Sequence, residues 1–159
     1  MANMQITLVT VGRFKDACYR DAAQNYIKRL QHYVAYDEIE VREERGGKNT
    51  RVSDIIEKEG HRLLSALHPD ATVVALGPSG KLCRSEILAK RLNHVRVQRK
   101  SRLFFLLGGP FGLASRVLSR ADWHLSLSPM TFPHELARVI LLEQLYRAFT
   151  IIRGENYHK

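Results

Sequence analysis

Apolar positions along the chain recur with two alternating periods. "MQITLVTV", Met4 to Val11, is a short apolar run of strand type, and Ala17 to Leu30 follows with helical spacing. "AYDEIEVRE" alternates polar and apolar residues as a half-exposed strand does. After "RGGKN", a helix from about Val52 to Leu67 carries Ile55, Ile56, Leu63, Leu64 and Leu67 on its apolar side. "ATVVAL", Ala71 to Leu76, is β-branched and uninterrupted, the pattern of a strand covered on both faces. Ser85 with Glu86 opens the next helix, where a serine cap contributes about 1 kcal/mol. "RLFFLL", a short helix from Ala114 to Ala121, the strand "WHLSL" and a long helix from His134 to about Arg153 follow. Strand and helix alternate five times, which predicts one α/β domain over residues 1–159. Its sheet is expected to be parallel-rich, with helices on both faces.

The final helix raises a question of cover. "ELARVILLEQLYRAFTII" is apolar nearly all round, whereas a helix lying on a sheet needs one apolar stripe. The second stripe is covered either by a partner subunit, which predicts a homodimer, or by other elements of the same domain. Glu143 and Arg147 form an i,i+4 pair on the narrow polar seam.

Charge changes the picture next. Twenty-five Lys and Arg against 16 Asp and Glu leave a net charge of +9, which favours a polyanionic partner, with nucleic acid as the default. Lys90 to Arg102, "KRLNHVRVQRKSR", concentrates cations without an acid, as a patch for such a partner or as a solvated helix end. No run approaches the roughly 20 apolar residues of a membrane span, and no leader pattern opens the chain. Cys18 and Cys83 stand alone and the seven histidines lack ligand spacing. The expectation is a cytoplasmic protein with no metal.

Two glycine-rich stretches invite a phosphate-loop reading and fail on spacing. "GPSGK", Gly77 to Lys81, has two residues between its glycines where a P-loop needs four, and Leu82 follows the lysine. "GGPFG" lacks the order of a dinucleotide fingerprint and comes too late in the chain. What remains is position. Ligands of open α/β sheets sit beyond the carboxyl ends of strands, and three strands here end in "LGPSG", "LGGPFG" and "SLSPMTFP". Gly108 and Gly109 let a flat ring press against the main chain, while Leu76, Met130 and Phe132 supply apolar walls. Such a pocket suits an adenine and a sulfonium better than a triphosphate. The tail "RGENYHK" carries Tyr157 and His158, either as a frayed terminus or as a grip for a base, since stacking contributes about 1–3 kcal/mol.

"SPMTFPHELARVILLEQLYRAF" followed by "GENYHK" closely resembles the end of the ribosomal RNA large-subunit methyltransferase H family. "LLGGPFGL", "TVVALGPSGK" and "GGKNTRVSDIIEKEG" match in the same order, so the resemblance covers nearly the whole chain. It implies a SPOUT α/β fold with a C-terminal trefoil knot and a homodimer using S-adenosyl-L-methionine. The implied reaction is methylation of N3 of a pseudouridine in large-subunit ribosomal RNA, on the assembled ribosome. By motif, cofactor contacts fall on Leu76, Gly108, Gly109, Leu127, Ser128, Pro129, Met130, Thr131 and Phe132. Tyr157 and His158 are implied to lie near the cofactor of the opposite subunit. His158 is the first candidate for a general base and His134 the second, although a residue beside Pro133 can simply cap a helix. Arg147 or Arg153 is a candidate to hold a phosphate or stabilise the imide anion. Pro129 and Asn156 depart from the common pattern, which bears on loop and tail rigidity. The rival expectation is a non-catalytic basic RNA-binding or ribosome-assembly protein of the same fold.

Overall fold

The computed structural model describes residues 4–98 and 102–158. Five strands form one sheet in the order β2-β1-β4-β3-β5, and every ladder is parallel. The strands are β1 (Gln5–Val11), β2 (Ala35–Val41), β3 (Thr72–Leu82), β4 (Arg102–Leu107) and β5 (Trp123–Ser126). The helices between and after them are α1 (Ala17–Leu30), α2 (Val52–Ser65), α3 (Ser85–Val97), α4 (Ser115–Arg120) and α5 (His134–Arg153). A 3-10 turn, Asn156–His158, ends the described chain.

The period of two along each strand sorts the core into two layers. Ile6 and Leu8, Val74 and Leu76, and Leu103, Phe105 and Leu107 face α1, α3 and α5. Val9, Val11, Val73, Phe104 and Leu106 face α2 and α4. The central strands are therefore apolar on both faces, as the uninterrupted run at Thr72 to Leu76 requires. Connection order follows from one rule of handedness. Steps from β1 to β2 and from β3 to β4 move one way along the sheet and cross on the α1/α3 face; steps from β2 to β3 and from β4 to β5 move the other way and cross on the α2/α4 face.

α5 lies between α1 and α3 in the middle of its layer. Those helices and the sheet bury Leu141, Leu142, Leu145, Ala148 and Phe149, so much of the cover comes from the same domain. Leu136, Val139, Ile140 and Tyr146 stay half-buried. Arg138 is buried on this helix, where Glu38 and Glu40 of β2 accept its hydrogen bonds and Phe14 lies 4.0 Å beneath the guanidinium. Gly154, at φ 71°, closes α5 in the left-handed conformation that favours glycine.

Two local expectations are corrected. Ser85 is the first residue inside α3 rather than its cap; Arg84 takes that position without a side-chain bond. Ser85 Oγ is drawn instead to Gln144 Oε1 of α5, 2.6 Å away. β3 also does not stop at Leu76. Leu76 and Lys81 both register with Leu125, so residues 77–80 loop out and the ladder then resumes. The basic run from Lys90 is seen as the end of α3, with His94 and Arg96 in the last turn where the helix dipole favours cations. Arg99 to Ser101 lie outside the described residues.

Candidate functional site

The carboxyl edge of β3, β4 and β5 opens into a cavity of about 470 Å³. Its existence follows from the connections. The chain leaves β3 and β5 toward the α3/α5 face but leaves β4 toward α4 on the other face, so the outgoing loops separate there. Three loops supply the wall: Gly77 to Ser79, Gly108 to Leu113, and Leu127 to Phe132. The first is the loop-out of β3. The second is pinched shut, because the Gly112 N–H donates to the Gly109 carbonyl and Gly108 runs against the Gly112 backbone. A Cβ on Gly108 would lie 2.5 Å from the Gly112 carbonyl oxygen, so only glycine permits that approach. The third is tied by side chains: Ser126 Oγ donates to the Ser128 carbonyl and Ser128 Oγ accepts from the Met130 N–H.

The cavity gathers Leu76, Gly108, Gly109, Leu127, Ser128, Met130, Thr131 and Phe132 of the residues singled out in the sequence. Pro129 belongs to the same loop but does not line the wall. Pro110, Phe111, Leu113, Leu118 and Ala137 line it as well, and the sequence reading passed over them. Phe111 becomes recognisable only in the folded chain. It is 51% exposed at the rim, as Met130 is at 73%, and large apolar side chains left open beside a cavity mark a surface that takes an apolar group. His134 is the one titratable side chain among the described lining residues. It stands at the first position of α5, after Pro133, and makes no capping bond.

Arg147, Tyr157 and His158 are brought to one another but not to this cavity. The tail doubles back along α5, so that Tyr157 Oη donates to Glu143 Oε1 at 3.1 Å. The Tyr157 ring packs edge-on against Tyr146 and lies under the Arg147 guanidinium, at 4.6 and 4.7 Å between centres. Arg147 Nε donates to Glu143 at 2.9 Å, and His158 Nε2 sits 3.0 Å from Glu86 Oε1 on α3. At 1.5 Å per residue, Glu143 is about 14 Å down the helix axis from His134. Burial first, then the Glu143 charge, pushes the Tyr157 phenol up to about 12, so it is a hydrogen-bond donor near neutral pH. Glu86 is held down at about 2 by its own backbone N–H at the start of α3, then by His158 and Arg84. Arg153 is exposed at the end of α5.

Behind Gly109 lies a buried carboxylate. Glu59 of α2 is 2% exposed; its Oε1 accepts the Glu44 N–H at 3.0 Å, while its buried Oε2 has no hydrogen-bond partner among the described residues. A Cβ on Gly109 would meet that oxygen at 3.1 Å. Burial pushes the Glu59 carboxyl above its ordinary range, with the Glu44 N–H acting in the opposite sense. Among the described residues no group of three or more His, Cys, Asp or Glu side chains is placed to hold a metal, and no helix is long and apolar enough to cross a membrane.

Comparison with known proteins places these features. A family model described as "Predicted SPOUT methyltransferase" matches residues 4–158. The ribosomal RNA large subunit methyltransferase H of Bacillus pumilus (strain SAFR-032) is 44% identical over 159 residues, covering 98% of this chain and 100% of its own. A structure described as a probable methylase family protein, from Haemophilus influenzae Rd KW20, superposes with a TM-score of 0.53 at 13% identity. It covers 100% of this chain and 72% of that one, a likeness of fold.

Proposed function

Because the chain belongs to the SPOUT methyltransferase family, we propose that it transfers a methyl group from S-adenosyl-L-methionine to N3 of a pseudouridine in large-subunit ribosomal RNA. The observation that carries this reading is the three-loop cavity. Its volume falls in the roughly 300–1,000 Å³ range of small-molecule sites. Positions for a Cβ on Gly77 and Gly112 meet nothing within 4 Å, so bare backbone faces open space in which a purine ring can lie. Leu76, Leu107, Leu127 and Phe132 give that ring apolar walls. When bound, the donor supplies a methyl group on a cationic sulfur that departs as a neutral thioether. The loops of this chain orient it and keep water away, and positioning of that kind is worth roughly 7–11 kcal/mol.

The imide N3–H must also lose its proton. A general base contributes about 10²–10⁴-fold, and His134 stands at the wall of its own cavity. Arg147, Tyr157 and His158 serve the reaction from the second subunit of a homodimer, in which the half-buried Leu136, Val139 and Ile140 find cover. His158 is then the base and Arg147 steadies the anion or a phosphate. The C-terminal trefoil knot and a cytoplasmic site of action on the assembled ribosome belong to the same reading.

The test is incubation of the protein with ribosomes from cells lacking it and S-adenosylmethionine labelled in the methyl group. Label should enter one pseudouridine of the large-subunit RNA, located by mass spectrometry of nuclease fragments. Binding of S-adenosylhomocysteine and of ribosomes without any transfer of label points to the non-catalytic RNA-binding alternative.

A further inference from the structure

The carboxyl ends of β1 and β2 carry a second concavity that the methyl-transfer reading does not use. The Gly12 N–H donates to the Val41 carbonyl at 2.8 Å and closes the ladder between these strands. Beyond it the chain departs toward α1 on one face and toward α2 on the other, leaving an open groove of about 1,290 Å³ between the two loops. Three arginines, Arg13, Arg42 and Arg45, line it together with Lys15 and three glutamates.

The ion pairs decide its sign. Glu40 is paired with Arg138 at 3.3 Å, Glu43 with Lys15 at 3.2 Å, and Glu44 with both Lys58 at 3.3 Å and Arg62. Every acid of the groove is thus already matched by a cation. Arg13, Arg42 and Arg45 are exposed and have no acidic partner among the described residues. Three guanidinium groups are left facing solvent, each a planar fork that matches the oxygens of a phosphodiester.

Position links the groove to the methyl-donor cavity. His134 lines that cavity and also a shallow pocket with Lys15 and Tyr19, and Lys15 in turn lines the groove. His134 Nε2 lies 3.8 Å from where a Cβ of Gly12 would stand. The cavity, the pocket beside it and the groove therefore adjoin one another in turn along the carboxyl edge of the sheet. Tyr19, half-buried between them, offers a ring face on the way.

We propose that the groove over β1 and β2 grips the sugar–phosphate backbone of the substrate RNA beside the target base, through Arg13, Arg42 and Arg45. The proposal rests on the rRNA-methyltransferase reading and adds to it the path of the strand across this chain. The polyanion is held at the arginines while the base is delivered along the sheet edge to the cavity.

The test uses the intact chain, purified large ribosomal subunits and a titration of salt. Replacing the three arginines together (R13Q, R42Q, R45Q) should weaken binding at least about tenfold near 0.1 M salt and reduce the log–log salt slope by about 2 to 3. S-adenosylhomocysteine affinity by calorimetry should match the parent. A charge-matched control on exposed cations of α1 (R20Q, K28Q, R29Q) should weaken binding by less than about threefold. If the triple variant loses S-adenosylhomocysteine binding, the three single variants carry the test, each lowering the slope by about 1. Unchanged affinity and slope in the arginine variants, or an equal loss in the control, overturns the proposal while leaving the parent's methyl transfer intact. A parent that neither binds nor methylates the subunits removes the underlying reading, and the groove proposal with it.

Discussion

At the scale of single residues, the cavity depends on where a side chain is impossible. Gly108→Ala must move the loop, because the new methyl would meet the Gly112 backbone at 2.5 and 2.8 Å. Overpacking of this kind costs about 1–3 kcal/mol, and a shifted loop weakens S-adenosylhomocysteine binding as well. Gly77→Ala meets no atom within 4 Å, so its stability stays within about 0.5 kcal/mol of the parent. Urea denaturation of the two variants checks this contrast; an equal loss of stability would contradict it. Glu59 gives a pH-dependent prediction. Its native pKa is raised above the ordinary 4.5 by burial, so the folded state holds its proton longer than the unfolded chain does. Its contribution therefore falls as pH rises from 4.5 through the raised native value and is level beyond. Glu59→Gln removes that titration, so denaturation midpoints across the window should move in favour of the variant as pH rises. Parallel profiles would contradict the assignment. Gly108 was singled out only because three strand-end loops pointed to one edge together, and the chain it meets, the Gly112 backbone, was not legible. Nor was Glu59, since one glutamate in an amphipathic helix reads as solvated until the fold buries it.

At the scale of elements, periodicity located all five strand–helix pairs, and the differences lie where tertiary contacts outweigh local signals. Ser85 resembles a cap, yet Gln144 of α5 takes its hydroxyl. "GPSGK" resembles a loop, yet Lys81 and Leu82 rejoin the ladder because β5 offers Leu125 and Ser126 at the right register. The tail shows what a sequence motif leaves out. "GENYHK" signals an aromatic and an imidazole for a base, but not that both dock on α5 and α3 of their own chain. Under the two-subunit reading, His158→Ala should keep S-adenosylhomocysteine affinity within about twofold of the parent while lowering kcat by about 10²–10⁴-fold. Unchanged turnover removes His158 as the base and leaves His134, the residue at the cavity wall.

At the scale of the whole molecule, strand order and the handed crossovers explain why the cavity and the groove open at one edge of the sheet. Loops after β3 and β5 part from the loop after β4, and those after β1 parts from the one after β2, each pair opening a cleft at the same edge. The alternating pattern predicted a parallel sheet covered on both faces, and the ligand rule for such sheets selected the edge. Strand order lay beyond it, because periodicity says which face a residue takes and nothing about which strands are neighbours. The groove between β1 and β2 was illegible for the same reason: its arginines come from two segments whose acids are matched only once the chain is folded. The most direct measurement is a crystal structure of the protein grown with saturating S-adenosylhomocysteine. The account predicts the adenosine between Leu76 to Ser79, Gly108 to Leu113 and Leu127 to Phe132; density at any other place, or none at saturation, contradicts it.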